Sequence, residues 1–154
     1  MQKVEMEPIG IVKVEEIGED HKDGISHLIL REELVPALKG IEDFSHLWVI
    51  FWMHKVSEED RRTLKVRPRG RADMPLLGVF STRTPHRSNP IGLTKVRLLK
   101  VEDNILTVED LDALHNTPVL DLKPYDYWDR NETAKVPHWW RKMEKERKST
   151  ESTT

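Results

Sequence analysis

Short runs in which apolar and polar residues alternate dominate the first part of the chain. Residues 8–16 and 24–32 alternate with period two, as is typical of half-buried β-strands. The most apolar segment, residues 44–55, carries apolar side chains on both faces of this alternation. We therefore predict a central strand there that is buried on both sides, as in a barrel or sandwich core. Residues 31–40 predict only one or two helical turns, because Pro36 interrupts a regular helix.

The same period continues in the second half of the chain. Residues 94–103 and 104–114 read as two strands of a hairpin that turns at Asp103-Asn104. A last short strand is predicted over Val119–Leu122, before Pro124. The pattern as a whole predicts six to eight short strands with one or two short helices, which is a mainly β fold.

Residues 77–94 join two apolar ends through a cationic middle. Arg83, His86 and Arg87 lie among two prolines, and Gly92 permits a positive φ, so we predict a shaped loop between two strands. Arginines on a stiff loop suit the binding of an anionic or π-rich ligand. The alternative is a long hairpin with a solvated basic tip.

The chain changes character after Tyr125. Residues 137–148 predict a helix with Trp139, Trp140 and Met143 on one side, and residues 149–154 read as a disordered tail. The ordinary expectation for the tryptophan pair is packing against the domain or a sister subunit.

Composition narrows the class of protein. The 154 residues predict one domain, and 37% apolar with 34% charged residues predict a soluble globular protein. No apolar run approaches the roughly 20 residues of a membrane span, and no signal-peptide core is visible, so no membrane association is expected. The absence of cysteine excludes disulfides, thiolate metal sites and cysteine nucleophiles, and it is consistent with a cytoplasmic protein.

Positive charge is concentrated in one segment of the sequence, although the chain as a whole is slightly negative. The formal net charge is −2, so any binding of nucleic acid must come from a local basic cluster. Residues 57–73 contain such a cluster, made of Arg61, Arg62, Lys65, Arg67, Arg69 and Arg71. A solvated loop is the ordinary interpretation, and a phosphate-binding loop is the alternative.

Familiar catalytic motifs are missing from the sequence. There is no GxGxxG after a strand, no phosphate-binding GxxxxGK[ST], no HExxH and no GxSxG, and we expect no metal site. What remains are polar side chains at strand ends, namely His54-Lys55, Asp112, His115–Pro118 and Asp121. These residues alone indicate only a β domain with a polar pocket.

Three segments together resemble the TsaA-like (TrmO) family. They are SHLWVIFWMHK at 45–55, LLGVFSTRTPHRSNPIGLT at 76–94 and LDALHNTPVLDLKPY at 111–125, with RPRG at 67–70 in the expected order. The resemblance implies a single-sheeted β-barrel that uses S-adenosyl-L-methionine and is usually a homodimer. It also implies methylation of N(6) of threonylcarbamoyladenosine beside the tRNA anticodon. We accordingly predict a barrel domain over 1–125, a part-helical extension over 126–148 and a tail over 149–154.

The family's cofactor contacts map onto a defined set of residues. They are His54, Lys55, Arg83, Leu93, Asp112, Leu114, His115, Asn116, Thr117 and Pro118. In this mapping Arg83 pairs with the methionine carboxylate, Leu93 helps to hold adenine, and the polar segment 112–118 binds ribose hydroxyls.

This sequence departs from the family pattern at three places. The usual Pro-Arg-Gln cofactor segment has no counterpart in residues 14–24. Ser88 stands where proline is usual, and His115-Asn116 replaces Asp-Gly. Bacterial members also continue into a small C-terminal domain, so we expect the tRNA contacts made there to be missing.

Other residues, outside the predicted cofactor set, are our candidates for catalysis and for RNA binding. Asp121 is our first candidate for the base that removes the N(6) proton, and His86 is the second. Phosphate contacts are assigned to Arg61, Arg62, Arg67, Arg69, Arg71 and Arg87. Two alternatives stay open: a methyltransferase for another nucleoside or small molecule, and a non-enzymatic β module that binds the cofactor or RNA.

Overall fold

A computed structural model describes residues 1–14 and 24–152 of the chain. Its strands are β1 (Gly10–Val14), β2 (Ile25–Leu30), β3 (His46–Trp52), β4 (Lys65–Val66), β5 (Leu77–Gly78), β6 (Ile91–Glu102), β7 (Ile105–Glu109) and β8 (Pro118–Pro124). One α-helix, α1, runs over His138–Glu151. Short 3₁₀ helices lie at Glu32–Leu38, Ile41–Asp43, Asp60–Arg62, Pro68–Gly70, Val79–Ser81 and Tyr127–Asp129.

Six strands close into one antiparallel barrel. Their order is β1-β2-β7-β6-β3-β8, with β8 pairing back onto β1, and β4 and β5 form a separate two-stranded sheet. The predicted mainly β, single-sheeted barrel is therefore confirmed, and the number of strands lies in the predicted range. Among the described residues no helix is long and apolar enough to cross a bilayer.

The barrel has one core, and the period-two pattern decides which side chains enter it. In β3, Leu47, Val49 and Phe51 are buried, whereas Trp48 and the other alternate residues are only half-buried. The prediction that this strand is buried on both faces is thus wrong. A single closed sheet has one interior, so the other face of every strand meets the surface.

The predicted hairpin between β6 and β7 is confirmed. It turns at Asp103-Asn104, where Asp103 has φ 51° and the Asn104 side-chain amide donates a hydrogen bond of 2.7 Å to the Leu30 carbonyl. The strand β6 is long enough to pair with β3 through its first half and with β7 through its second half. A register shift between Leu98 and Lys100 lies in the half that pairs with β7.

Residues 77–94 do not form a hairpin. β5 pairs with β4, through Val66↔Leu77, while β6 pairs with β3 and β7. The two ends of the segment therefore belong to different sheets, and the loop between them connects the small sheet to the barrel. Phe80, read from the sequence as part of an apolar strand, is 81% exposed.

Gly92 has a different role from the predicted one. The glycines with positive φ among the described residues are Gly24, Gly40 and Gly70, so Gly92 does not shape a turn. It is buried in β6 directly opposite Phe51, and a Cβ atom at position 92 would lie 2.1 Å from Cε2 of that ring. The missing side chain makes room for an aromatic ring in the core.

The C-terminal helix is longer than predicted. It begins at His138 and continues to Glu151, so residues 149–151 are helical where the sequence suggested a disordered tail; residues 153–154 lie outside the described part of the chain. Two ion pairs join it to the 71–73 segment: Arg71 binds Glu146, and Lys142 lies 3.0 Å from Asp73.

Candidate active site

One end of the barrel gathers segments that are far apart in the sequence. β3 runs antiparallel to both of its neighbours, so its last residues lie beside the first residues of β6 and β8. Trp52 pairs with Ile91, and Phe51 pairs with Val119. His54-Lys55 therefore emerges from β3 at the barrel end where Pro118 begins β8. Strand register therefore brings these two segments, which carry predicted cofactor residues, to the same end of the barrel.

The segment 112–118 is fixed against β1. The Asn116 backbone N–H donates to the Val12 carbonyl at 2.8 Å, and the Lys13 ammonium donates to Asn116 Oδ1 at 2.6 Å. The Val14 N–H donates to Nδ1 of His115 at 3.1 Å. Thr117 is buried. The end of this loop is consequently held in one position, although His115 and Asn116 themselves are exposed.

The backbone explains why Asn116 can replace the usual glycine. Its φ is 66°, in the left-handed region that glycine adopts without strain and asparagine tolerates better than most residues. The loop therefore keeps a conformation that glycine would favour, while the asparagine side chain adds the bond from Lys13.

Leu93 and Asp121 lie at one level on the outer surface of the barrel. Both pair with Ile50, Leu93 from β6 on one side and Asp121 from β8 on the other. Leu93 is 46% exposed. The Asp121 carboxylate accepts the Leu122 N–H at 2.9 Å and lies 3.0 Å from the ammonium of Lys123. The Asp121 carboxylate and the exposed side chain of Leu93 are thus separated only by the strand β3.

Arg61 and Arg87 hold the loop that follows β5, because both donate hydrogen bonds to its backbone carbonyl groups. Arg61 donates its Nε–H to the Ser88 carbonyl at 2.8 Å and lies 5.3 Å above the Trp52 ring. Arg87 donates to the carbonyl groups of Thr82 and Thr84 at 3.2 and 3.1 Å. These bonds give the loop the defined shape that its sequence suggested.

Beside this loop lies a pocket of about 840 Å³. Three segments build it: the end of the small sheet with the RPRG turn, the loop over 82–86, and one face of α1. Its lining residues are Val66, Arg67, Pro68, Arg69, Gly70, Thr82, Arg83, Thr84, Pro85, His86, Trp139, Trp140, Met143, Glu144 and Arg147. Arg83 and His86 are the predicted cofactor and catalytic residues that line it, whereas His54, Leu93, 112–118 and Asp121 do not.

Arg83 and His86 differ in their surroundings. The Arg83 guanidinium is exposed and forms no hydrogen bond or ion pair with the part of the chain that the structure describes. His86 places Nε2 at 3.9 Å from a carboxylate oxygen of Asp60. The two candidate bases are therefore separated: His86 faces the pocket, and Asp121 faces outward from the barrel wall.

The six arginines assigned to RNA binding fall into two groups. Four already have partners inside the chain: Arg61 and Arg87 hold the loop, Arg67 donates to the Met74 carbonyl at 2.6 Å, and Arg71 binds Asp73 and Glu146. Arg62 and Arg69 are exposed and unpaired within the described ranges 1–14 and 24–152. Most of the predicted cluster thus shapes the site, and its role toward RNA stays a prediction.

Ion pairs couple α1 to the 71–73 segment. Hydrogen bonds from Arg71, and then from Lys142, hold the pKa of the Asp73 carboxyl well below its usual range. The hydrogen bond from Arg71 likewise lowers the pKa of Glu146. The pKa of Arg71 is raised by its bonds to Asp73 and Glu146, so all three groups are fully charged near neutral pH.

Sequence reasoning missed the contribution of α1 to the pocket. Trp139, Trp140, Met143 and Arg147 line it, although the tryptophan pair was expected to pack into the domain or against a subunit. The available signal was the combination of aromatic and basic residues on one helical segment.

Several of the predicted cofactor residues have the chemistry that the implied cofactor requires, but Arg83 lines the pocket whereas His54, Leu93 and the segment 112–118 lie outside it. An unpaired guanidinium at Arg83 suits a carboxylate. Nδ1 of His54 is buried and lacks a hydrogen-bond partner among the described residues, which leaves one polar atom of this barrel end unsatisfied. Leu93 and Leu114 expose apolar side chains of the kind that contact a purine. The segment that departs from the Pro-Arg-Gln pattern lies almost wholly outside the described residues.

Comparison with known proteins decides the family. The model of the tRNA-methyltransferase O N-terminal domain matches residues 17–129. The chain belongs to this family. Crystal structures of TrmO from Pseudomonas aeruginosa superpose with TM-scores of 0.68 and 0.65 at 28% and 31% identity, covering 90% and 87% of this chain and 62% of each of those chains. The shared barrel is thus supported by both sequence and structure.

Members of this family differ in length. A probable S-adenosyl-L-methionine-binding protein of Methanocaldococcus jannaschii is 39% identical over 77% of this chain and 89% of its own length. The human tRNA (adenine(37)-N6)-methyltransferase is 47% identical over 58% of this chain, but only 20% of its own length is covered. The chain therefore spans most of the archaeal relative and a small part of the human one. Among the described residues, no group of three or more histidine or acidic side chains is arranged as a metal site.

Proposed function

We propose that this protein is an S-adenosyl-L-methionine-dependent tRNA methyltransferase that modifies N(6) of adenosine 37, in the form of threonylcarbamoyladenosine beside the anticodon. The observation that carries the proposal is the strand register that brings the end of β3, from which His54-Lys55 continues, to the barrel end where Pro118 begins β8. Membership of the tRNA-methyltransferase O N-terminal domain family supports it. So does the activity for which the human relative is named, methylation of N6 of adenine 37 in tRNA.

The chain's own residues would hold the methyl donor. S-adenosyl-L-methionine supplies an activated methyl group when bound. Arg83 would pair with its carboxylate, Leu93 would contact adenine, and the remaining polar contacts would come from His54, Lys55 and the segment 112–118. Because the loop that carries Arg83 is fixed by Arg61 and Arg87, little ordering is needed on binding.

Proton removal from N(6) is assigned first to Asp121. Its carboxylate lies one strand away from Leu93, the proposed adenine contact, and its exposed position is open to an RNA base. His86 is the second candidate, because it lines the pocket together with Arg83. The acceptor adenosine lies in a single-stranded loop, where a base can be splayed out at small energetic cost.

We propose further that the protein acts as a cytoplasmic homodimer and without a metal ion. Exposed apolar side chains on the outer surface of β6, including Ile91 and Leu99, offer a surface for a second copy. The division into a barrel over 1–125 and a part-helical extension from residue 126, in which α1 continues to Glu151, is part of the same proposal.

Two measurements test the function. Isothermal calorimetry with S-adenosyl-L-methionine should show binding that Arg83→Ala abolishes. Arg62→Ala, which removes an exposed arginine outside the proposed cofactor set, should leave binding intact. Mass spectrometry of nucleosides should then detect a methylated threonylcarbamoyladenosine after incubation with tRNA that carries the modification. Intact cofactor binding with no methyl transfer to that tRNA would refute the substrate, and a panel of other RNAs would test for another acceptor.

A cofactor-binding module without catalytic activity is the second candidate. It is favoured by the archaeal relatives, which match this chain over most of their length and whose names state binding of S-adenosyl-L-methionine. In that case calorimetry would show binding, and no RNA or small molecule in the panel would receive the methyl group.

A further inference from the structure

The helix α1 turns its aromatic side toward an open pocket rather than into the hydrophobic core. Trp139, Trp140 and Met143 line the 840 Å³ pocket, whereas the buried core cluster of the described chain contains no residue of this helix. Trp140 is 37% exposed, and Trp139 meets it edge to face with ring centroids 5.5 Å apart. An apolar wall of this kind is available to a ligand.

The other walls of the pocket are cationic. Arg67, Arg69, Arg83 and Arg147 line it, and Glu144 is the one carboxylate among its described lining residues. Glu144 is itself paired with Lys148 at 2.9 Å. The pocket therefore carries a clear excess of positive charge, although the chain as a whole has a formal net charge of −2.

The positive charge continues along the helix. A shallower depression of about 440 Å³ is lined by Arg69, Glu146, Arg147 and Thr150. Arg69 and Arg147 line both cavities, so they stand where the two meet. Two cations at this junction suit a ligand that extends past the pocket and carries more than one negative charge.

The backbone at Arg69 is itself unusual. Arg69 has φ 54° and ψ 22°, a left-handed conformation that residues other than glycine, asparagine and aspartate rarely adopt, and Gly70 follows with φ 64°. Strained residues of this kind are concentrated at binding sites. The RPRG turn thus holds Arg69 on the pocket wall at a cost in local stability.

We propose that this pocket binds a single-stranded RNA segment, with one base stacked on Trp140 and the adjoining phosphates on Arg69 and Arg147. Flat aromatic rings beside arginines are the means by which proteins hold single strands, because each unpaired base offers a π-face next to a phosphate. The carboxylates of an acidic peptide would pair with the arginines, but they offer no flat ring to stack on the tryptophans. The proposal rests on the proposed function and gives the acceptor RNA a binding site on α1.

Fluorescence anisotropy with a labelled RNA stem-loop of anticodon type tests the proposal on the full chain. Trp140→Leu should weaken binding by roughly 5- to 150-fold, the range for loss of one stacked base. Arg147→Ala should weaken binding and reduce the slope of log affinity against log salt by about 0.7, as expected for one lost phosphate contact on a single strand. Neither residue belongs to the core, so both variants should fold.

Matched controls come from the same part of the chain. Arg141→Ala removes the same charge from the same helix outside the pocket, and Trp128→Leu removes an exposed indole from Tyr127–Asp129. Both should leave RNA affinity unchanged. Equal affinity of wild type, Trp140→Leu and Arg147→Ala for the stem-loop would overturn the proposal.

Two further readouts separate this proposal from the proposed function. Calorimetry with S-adenosyl-L-methionine should give the same affinity for Trp140→Leu, Arg147→Ala and wild type. If wild type transfers no methyl group but both variants lose RNA affinity, the proposed function fails and the RNA pocket stands. If sedimentation shows that Trp140→Leu separates a dimer into monomers, a second copy covers the pocket and the proposal is wrong.

Discussion

Arg61 donates its Nε–H to the backbone carbonyl of Ser88 at 2.8 Å while its guanidinium lies over the ring of Trp52. The bond links the basic segment to the loop that carries Arg83. Arg61→Ala should therefore weaken S-adenosyl-L-methionine binding roughly fivefold, equivalent to about 1 kcal/mol for one hydrogen bond. Isothermal calorimetry measures this. Arg62→Ala is the control, because its exposed side chain has no partner among the described residues; equal affinity in Arg61→Ala would show that the loop does not depend on the bond.

The close approach of Gly92 to Phe51 gives a prediction about stability. Gly92→Ala should lower the free energy of unfolding by about 1–3 kcal/mol, the usual range for overpacking a core, because the new Cβ would meet the ring at 2.1 Å. Urea denaturation followed by circular dichroism measures this.

The matched control for Gly92→Ala is Gly78→Ala. A Cβ at position 78 would have its nearest neighbour, the Leu64 carbonyl oxygen, at 4.0 Å. That variant should unfold like the wild type. A Gly92→Ala protein as stable as the control would mean that the Phe51 ring moves aside without loss.

Local signals in the sequence were sufficient for most strands of the barrel and for the turn at Asp103-Asn104, but not for β4, which lies in a segment predicted to be a loop. The alternation around Val49 and the Asp103-Asn104 turn both depend on neighbours in the chain, and both predicted elements are present. The role of Gly92 was misjudged because it depends on Phe51, which lies in another strand. Positive φ is one reason for a glycine, and space for a facing ring is another.

Pairings over long distances could not be derived from the pattern. β3 lies between β6 and β8 in the barrel, an order that period-two alternation does not encode, and this order alone brings His54 toward Pro118. The partner of Arg71 on α1, Glu146, is likewise distant in sequence. The sequence therefore could not show that an arginine of the predicted phosphate-binding cluster, such as Arg71, is paired with a side chain of the same protein.

The identity of the catalytic base is tested by a pair of variants. Asp121→Asn should lower kcat for methyl transfer by about 10²- to 10⁴-fold, the usual contribution of general base catalysis, with little change in cofactor affinity. His86→Gln should have a smaller effect if Asp121 is the base. Single-turnover assays with modified tRNA measure both rates.

Glu102→Gln serves as the control for the base variants, since it neutralises a carboxylate at the far end of β6. It should transfer methyl groups at the wild-type rate. The opposite ranking, with His86→Gln the slower enzyme, would assign the base to the pocket rather than to the barrel wall.

The ion pairs of Arg71 predict that the docking of α1 depends on pH. The pKa values of Asp73 and Glu146 are lower in the folded protein than in the unfolded chain. Their contribution to docking is therefore complete above the unfolded values, near pH 4 to 5, and is lost as the pH falls through the lower folded values. Indole N–H signals of Trp139 and Trp140 in NMR spectra should shift toward those of a free helix on acidification below about pH 4.

Two controls isolate this effect. Arg71→Gln should show the undocked signals already at neutral pH, because both carboxylates lose their main partner. Raising the salt concentration at neutral pH should act in the same direction, since these ion pairs are partly exposed and are screened by ions. Tryptophan signals that stay constant through the acid range in the wild type, with the barrel still folded, would show that the apolar contacts of α1 hold it without the ion pairs.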